Sequence, residues 1–331
     1  MQPLPATMRV FQLEGPHRPV WKETAVPETS PGDVLVKILG VTTCPHWDLH
    51  MMEGKPMFQD YALEYPLAPG LPGHEAMGEV VAVGKEVTAF APGMHVAAWR
   101  DPGNRRMGCY AQFVSLRAED LIQIDKTLIP EEIASLELAM CVQGSFQRLR
   151  QYDAVAGKRL AIGGLGPSGL VAVQMARALG AETVIGLDPL EERRTLAMQL
   201  GADEAWDPAG YIWPDGRAHP NAFDTALDTT GLPVSIEALM GSTRETVSLF
   251  GVLREQVRFG SEHWWGGFSL LGYGTHTREA AEEAYRLIIE GRLKLTPLIT
   301  HRLPFTRYAD GIELLKTKEA IKVLFDPWAP E

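Results

Sequence analysis

The sequence predicts a two-part α/β chain, in which a β-barrel-like body is joined to a doubly wound parallel sheet with helices on its faces. Short β-branched runs broken by Pro-Gly pairs fill the first part. From Lys158 onward strand and helix patterns alternate, the signature of a parallel sheet covered by helices. The 331 residues, 45% of them hydrophobic, are enough for two cores rather than one.

Taken in order, 34–39, 78–84 and 94–99 read as strands, punctuated by Pro31-Gly32, Pro92-Gly93 and Pro102-Gly103. Cys109 alternates along a strand at 108–113 and belongs to the core. In the second part 159–162 is a strand, 168–179 an apolar helix, 183–187 a strand and 190–200 a helix. Strands at 223–227 and 246–250 follow, and 207–222 is surface loop. A helix at 278–290, a strand at 298–303, a helix at 308–317 and a strand at 320–325 resemble the first part in grammar. The expected domains are therefore 1–143, 144–275, and a return segment, 276–331, that completes the first.

Composition narrows the function. Acidic residues outnumber basic ones by 42 to 31, a formal charge of −11, and the basic residues are scattered. A phosphate backbone would be repelled, which argues against a nucleic-acid partner. The longest apolar runs fall short of the roughly 18 residues a membrane helix needs. Met1–Thr7 lacks the basic start and apolar stretch of a secretory signal, so the expected location is the cytoplasm. Three cysteines, Cys44, Cys109 and Cys141, can form neither a disulfide framework nor a four-thiolate zinc site within one chain.

The strongest motif is Gly164-Leu165-Gly166-Pro167-Ser168-Gly169, placed between the strand 159–162 and the helix 168–179. The first glycine allows a tight turn, the second a close approach to a pyrophosphate, the third helix–strand packing. Amides at the helix start then face the phosphates. Nineteen residues past Gly169, Asp188 can accept hydrogen bonds from the adenosine ribose and would repel a 2′-phosphate, favouring NAD over NADP. Arg193 and Arg194 either reach a 2′-phosphate or lie on the solvated first turns of the next helix. Thr230, in the turn after the strand 223–227, and Gly251, after the strand that follows, belong at the carboxyl ends beside the cofactor.

The second motif is Gly73-His74-Glu75-Ala76-Met77-Gly78 at the head of a strand. With the dinucleotide turn, it resembles the zinc-dependent alcohol and polyol dehydrogenases of the medium-chain dehydrogenase/reductase superfamily, over nearly the whole chain. That resemblance implies a GroES-like β-barrel catalytic domain and a Rossmann nucleotide-binding domain. It implies one catalytic zinc with His74 as ligand and Glu75 beside the metal. In Cys44-Pro45-His46-Trp47-Asp48-Leu49-His50, Asp48 and His50 match the family's Asp beside the metal and its proton-relay His, but Cys44 lies one residue too far upstream. Either a one-residue bulge restores Cys44 to the metal, or Pro45 takes the ligand position and His46 substitutes. Cys141 stands near the third ligand position, with Glu137 as the substitute. The family's structural-zinc lobe is replaced by the short basic turn 100–108, so no structural zinc is expected.

The implied chemistry is hydride transfer between NAD, with NADP second, and a small-molecule alcohol or carbonyl: a secondary alcohol, polyol or sugar. Trp47, Met51, Trp99 and Phe146 are candidates to line the pocket. Trp264-Trp265 either overhangs the nicotinamide or forms a subunit contact. A homo-oligomer, dimer or tetramer, is expected. Two readings compete: a zinc-free enone or quinone reductase, and a non-catalytic NAD-binding sensor.

Overall fold

The computed structural model describes residues 3–58, 62–103 and 105–330. Met1 and Gln2 of the N-terminal stretch and Asn104 of the basic turn lie outside them. The chain divides into two compact units. One holds the residues up to Leu138 and those from Leu295 onward; the other is Ala139–Lys294. These divisions fall at 138/139 and 294/295, against the 143/144 and 275/276 read from sequence. Among the described residues no helix is long and apolar enough to cross a membrane.

In the first unit the strand Asp33–Thr42 is the organising element. It pairs antiparallel with Glu75–Val83, with Phe113–Arg117 and with the return strand Lys322–Asp326. Neighbours on both edges and cover on both faces explain why its DVLVKILGVT sequence is nearly continuously apolar rather than alternating. Glu75–Val83 continues through His95–Ala98 to Leu121–Ile124, and Lys322–Asp326 pairs in parallel with Ile299–Pro304. The core beneath includes Phe11, Val36, Ile38, Val80, Tyr110, Tyr308 and Phe325. Burying each large side chain contributes roughly 1.5–3 kcal/mol.

The second unit is a parallel sheet ordered Glu204–Trp206, Thr183–Leu187, Arg159–Gly163, Phe223–Asp228, Thr243–Leu249, Ser269–Leu271. The chain order reverses between Arg159–Gly163 and Phe223–Asp228. A ligand crevice therefore opens outside the carboxyl ends of those two strands. The helix Pro167–Ala178 begins there, with Gly166 as its N-cap and Pro167 at the first helical position, where the missing N–H costs nothing.

Several elements escaped the sequence pattern. The helices Leu136–Arg150 and Pro233–Ser242 and the short strands Glu204–Trp206 and Ser269–Leu271 are among them. Most consequential is the helix Pro45–Met52, which starts directly after Cys44.

Candidate active site

That helix carries most of the cysteine motif. Cys44 is its N-cap residue, and Pro45 opens it. Asp48, one turn on, turns its carboxylate back, so that Asp48 Oδ2 accepts the Cys44 backbone N–H at 2.8 Å. The rings of His46 and His50, four residues apart on the same helical face, have centroids 4.4 Å apart.

His74, at the mouth of the strand Glu75–Val83, is 4% exposed. Its Nδ1 lies 2.8 Å from the Pro72 carbonyl, which can only accept, so Nδ1 is a donor there and Nε2 is the nitrogen left to meet other groups. Nε2 faces anionic donors. Glu137 Oε2 is 3.7 Å away, and ligand atoms of Cys44, His74 and Glu75 all lie within 4.8 Å of one another. Burial disfavours a charged imidazole here. The hydrogen bond and charge of Cys44, then the charges of Glu137 and Glu75, nevertheless hold His74 well above the ordinary histidine range. The donor set thus draws a cation to Nε2. A thiolate, an imidazole nitrogen and a carboxylate suit Zn²⁺.

Glu75 is already engaged. Lys322 Nζ, fully buried in the return strand, donates to both its carboxylate oxygens at 2.7 and 2.6 Å, and Thr42 Oγ1 donates to Oε2 at 3.1 Å. Sequence reading missed Lys322, although a lysine within the apolar run Ala320–Phe325 is itself a signal, since lysines are rarely buried unpaired. Asp48 is likewise buried. Burial pushes its carboxyl up to about 6, opposed by hydrogen bonds from Tyr308 and Tyr110, by the charge of His74 and by the Cys44 N–H.

Of the residues named for a pocket, Trp47 alone lines the small cavity at His74 among the described residues. Its ring centroid is 5.7 Å from the imidazole, and Asp101 and Pro102 of the basic turn close the other side. The cavity holds about 10 Å³, room for about one water. Met51 and Trp99 pack into the barrel core, and Phe146 is wholly buried in the second unit. Cys109 is fully buried in a bend rather than a strand, and burial pushes its thiol up to about 12, which leaves it an inert core residue. Cys141 belongs to the second unit, where its thiol lies within 4.8 Å of a ring nitrogen of His276.

In the second unit the glycine-rich turn has the geometry its sequence requires. Gly164 sits at φ +85°, and a Cβ on Gly169 would meet the Gly164 carbonyl oxygen at 1.9 Å. A Cβ on Gly166 would meet nothing, which leaves open ground at the helix start for a pyrophosphate. Leu165 within the turn is fully buried, while Pro167 and Ser168 form the first helical positions. Asp188 follows the strand Thr183–Leu187; it accepts the Leu165 N–H at 2.8 Å and the Leu190 N–H at 2.9 Å, fixing it beside the turn. Thr230 donates its hydroxyl to Asp228 at 2.7 Å, and the Gly251 N–H bonds the Asp228 carbonyl at 3.1 Å, both at the carboxyl ends of the sheet.

Two expectations are corrected. Arg193 is not solvated: it is 7% exposed, and burial lowers its proton affinity against the opposing charge of Asp188. Arg194 is committed to the carbonyls of Asp188 and Pro189 at 2.9 and 2.8 Å. Trp264-Trp265 does not overhang the nicotinamide position. Arg217 bonds the carbonyls of Thr243 and Trp265, both at 2.9 Å, and Thr243 begins its strand. The pair therefore lies at the amino ends of the sheet, roughly 20 Å from the carboxyl ends at about 3.3 Å per residue.

The alcohol dehydrogenase GroES-like domain matches residues 30–126, and the zinc-binding dehydrogenase domain matches 167–290. The L-threonine 3-dehydrogenase of Pyrococcus furiosus is 29% identical over 338 residues, covering 92% of this chain and 93% of that protein. The 2R,3R-butanediol dehydrogenase of Bacillus subtilis superposes with a TM-score of 0.85 at 23% identity, over 97% of this chain and 99% of that one. A Sinorhizobium meliloti 1021 chain solved with NADP bound gives 0.84 at 24%, over 98% and 100%. These two structures establish likeness of fold.

Proposed function

The chain belongs to the zinc-dependent alcohol and polyol dehydrogenases of the medium-chain superfamily, and from that membership we propose that it oxidises a secondary alcohol bearing a neighbouring polar group, with NAD as the preferred acceptor. It is an NAD(P)-dependent oxidoreductase acting on CH–OH groups. The metal site of this reading is supported by two distances: ligand atoms of Cys44, His74 and Glu75 lie within 4.8 Å of one another, and Glu137 Oε2 lies 3.7 Å from His74 Nε2.

In this reading Cys44, His74 and Glu137 hold one catalytic zinc, with Glu75 restrained beside it by Lys322. Cys141 is then the third-ligand candidate displaced by Glu137. Zinc, when bound, supplies a Lewis acid that lets an alcohol lose its proton near neutral pH, and NAD accepts the hydride. The protein's own residues do the rest. Trp47 walls off one side of the site. His50, with the His46 ring tilted against it one turn before, takes the released proton on an imidazole nitrogen and passes it to water. Gly164–Gly169 cradle the pyrophosphate, Asp188 receives the ribose hydroxyls, and Thr230 and Gly251 border the cofactor. Arg193, buried beside Asp188, steadies that carboxylate.

The substrate class is supported by the activities of the relatives. Threonine and 2,3-butanediol are both secondary alcohols with a polar group on the adjacent carbon. A cytoplasmic homo-oligomer completes the reading.

The test is reduction of NAD and of NADP by a panel of vicinal diols, polyols and 3-hydroxy amino acids, for the unaltered chain and Asp188→Ala. The unaltered chain is expected to favour NAD by at least about tenfold, and Asp188→Ala to lose most of that preference while keeping turnover. An unchanged coenzyme ratio would refute the ribose assignment. Turnover of enones or quinones with no alcohol oxidised would favour the zinc-free reductases.

A further inference from the structure

Asp48 links the metal loop to a distant part of the chain. Its carboxylate is fully buried and is held by three neutral donors. Tyr308 donates its hydroxyl to Oδ1 at 2.7 Å, Tyr110 donates to Oδ1 and Oδ2 at 2.9 and 3.1 Å, and the Cys44 backbone N–H donates to Oδ2 at 2.8 Å. Tyr308 opens the helix Tyr308–Lys316 in the return segment, 260 positions from Asp48. Its ring is fixed by packing on Phe11, Tyr110 and Phe325, with centroids 4.4, 5.2 and 5.6 Å away. The hydroxyl therefore reaches Asp48 from an immobile base.

The return segment grips the same loop again one residue before Cys44. The Thr43 N–H bonds the Val323 carbonyl at 2.9 Å, and the Val323 N–H bonds Thr43 Oγ1 at 2.9 Å. Cys44 is thus held from both sides: Thr43 through Val323, and its own N–H through Asp48 and Tyr308. A thiolate ligand needs this restraint, because the affinity of a metal site depends on how firmly the groups behind the ligands orient them.

We propose that Tyr308 is a positioning residue for the metal site, acting through Asp48 to set the Cys44 backbone and hence the direction of its thiolate. This rests on the zinc reading above. Tyr110 shares the task from the loop before the strand Phe113–Arg117, but Tyr308 makes the shorter bond and comes from the segment that also holds Thr43. Nothing in the local sequence around Tyr308 signals this role.

The test is Tyr308→Phe, which keeps the ring and its packing and removes only the hydroxyl. Metal-stripped protein is titrated with Co²⁺, following the thiolate-to-cobalt charge-transfer band, with thermal unfolding measured alongside. The expected result is a Co²⁺ affinity weakened about 10–100-fold, the usual consequence of removing a group that orients a ligand, with a shifted or weakened band. Tyr110→Phe is expected to move the band in the same direction, and it serves if Tyr308→Phe does not fold. If the unaltered chain shows the band and both variants match it in affinity and spectrum, losing only thermal stability, these tyrosines are core residues and the inference fails. If the unaltered chain itself shows no cobalt–thiolate band, the zinc reading fails and takes this inference with it.

Discussion

Replacing His74 by alanine is expected to abolish metal binding and to lower turnover by at least about a thousandfold. Metal assistance to alcohol oxidation is worth several kcal/mol of charge stabilisation, and about 1.4 kcal/mol is a factor of ten in rate. His74 is the residue on which the anionic groups of the first unit converge. Its Nδ1 is committed to the Pro72 carbonyl, and its Nε2 faces Glu137 at 3.7 Å. Alanine leaves Cys44 and Glu137 without the imidazole that completes the set. Cys44→Ser should act in the same direction. NADH binding, which the proposed function assigns to Gly164, Gly166, Gly169 and Asp188 in the other unit, should change little in either variant. Elemental analysis and NADH fluorescence titration separate the two effects. A His74→Ala protein that keeps its zinc would remove His74 from the site, and one that loses NADH binding as well would show a general folding defect.

Lys322→Met is expected to destabilise the protein by about 3–5 kcal/mol, the range for removing one partner of a buried ion pair. Lys322 is fully buried, and Glu75 receives two of its bonds, at 2.7 and 2.6 Å, with no exposure of its own. Methionine fills much the same volume, so the loss comes from an uncompensated carboxylate rather than a cavity. A freed Glu75 would also sit within reach of the Cys44 and His74 donors, so metal affinity should change along with stability. The double variant Lys322→Met with Glu75→Gln should recover much of the lost stability, because it removes the orphaned charge. Urea unfolding of both variants checks this. A loss below about 1 kcal/mol, or no recovery in the double variant, would mean that the pair carries little of the local energy.

What could be read from the sequence was what is local. The glycine-rich turn declares itself because its three glycines, the strand before it and the helix after it are neighbours, and Asp188 follows at a fixed interval. His74 and Glu75 are legible for the same reason. The offset of Cys44 was not resolvable, because the helix Pro45–Met52 is only eight residues long and carries no clear apolar stripe; its one local signal is Pro45 at the first position. Lys322 and Tyr308 act on residues more than two hundred positions away, and no periodicity reports a partner at that range. The overhang alternative for Trp264-Trp265 was not excludable from sequence for a related reason. Following a strand says nothing about which end of the sheet the chain has returned to, and the strand Ser269–Leu271 is too short to announce itself.

The central claim is a metal centre of one ion built on Cys44, His74 and Glu137. The measurement that tests it most directly is zinc per chain in the purified protein, by elemental analysis, for the unaltered sequence beside His74→Ala. The account predicts close to one ion in the first and close to none in the second. Close to none in the unaltered chain, with none taken up when zinc is added back, would contradict it.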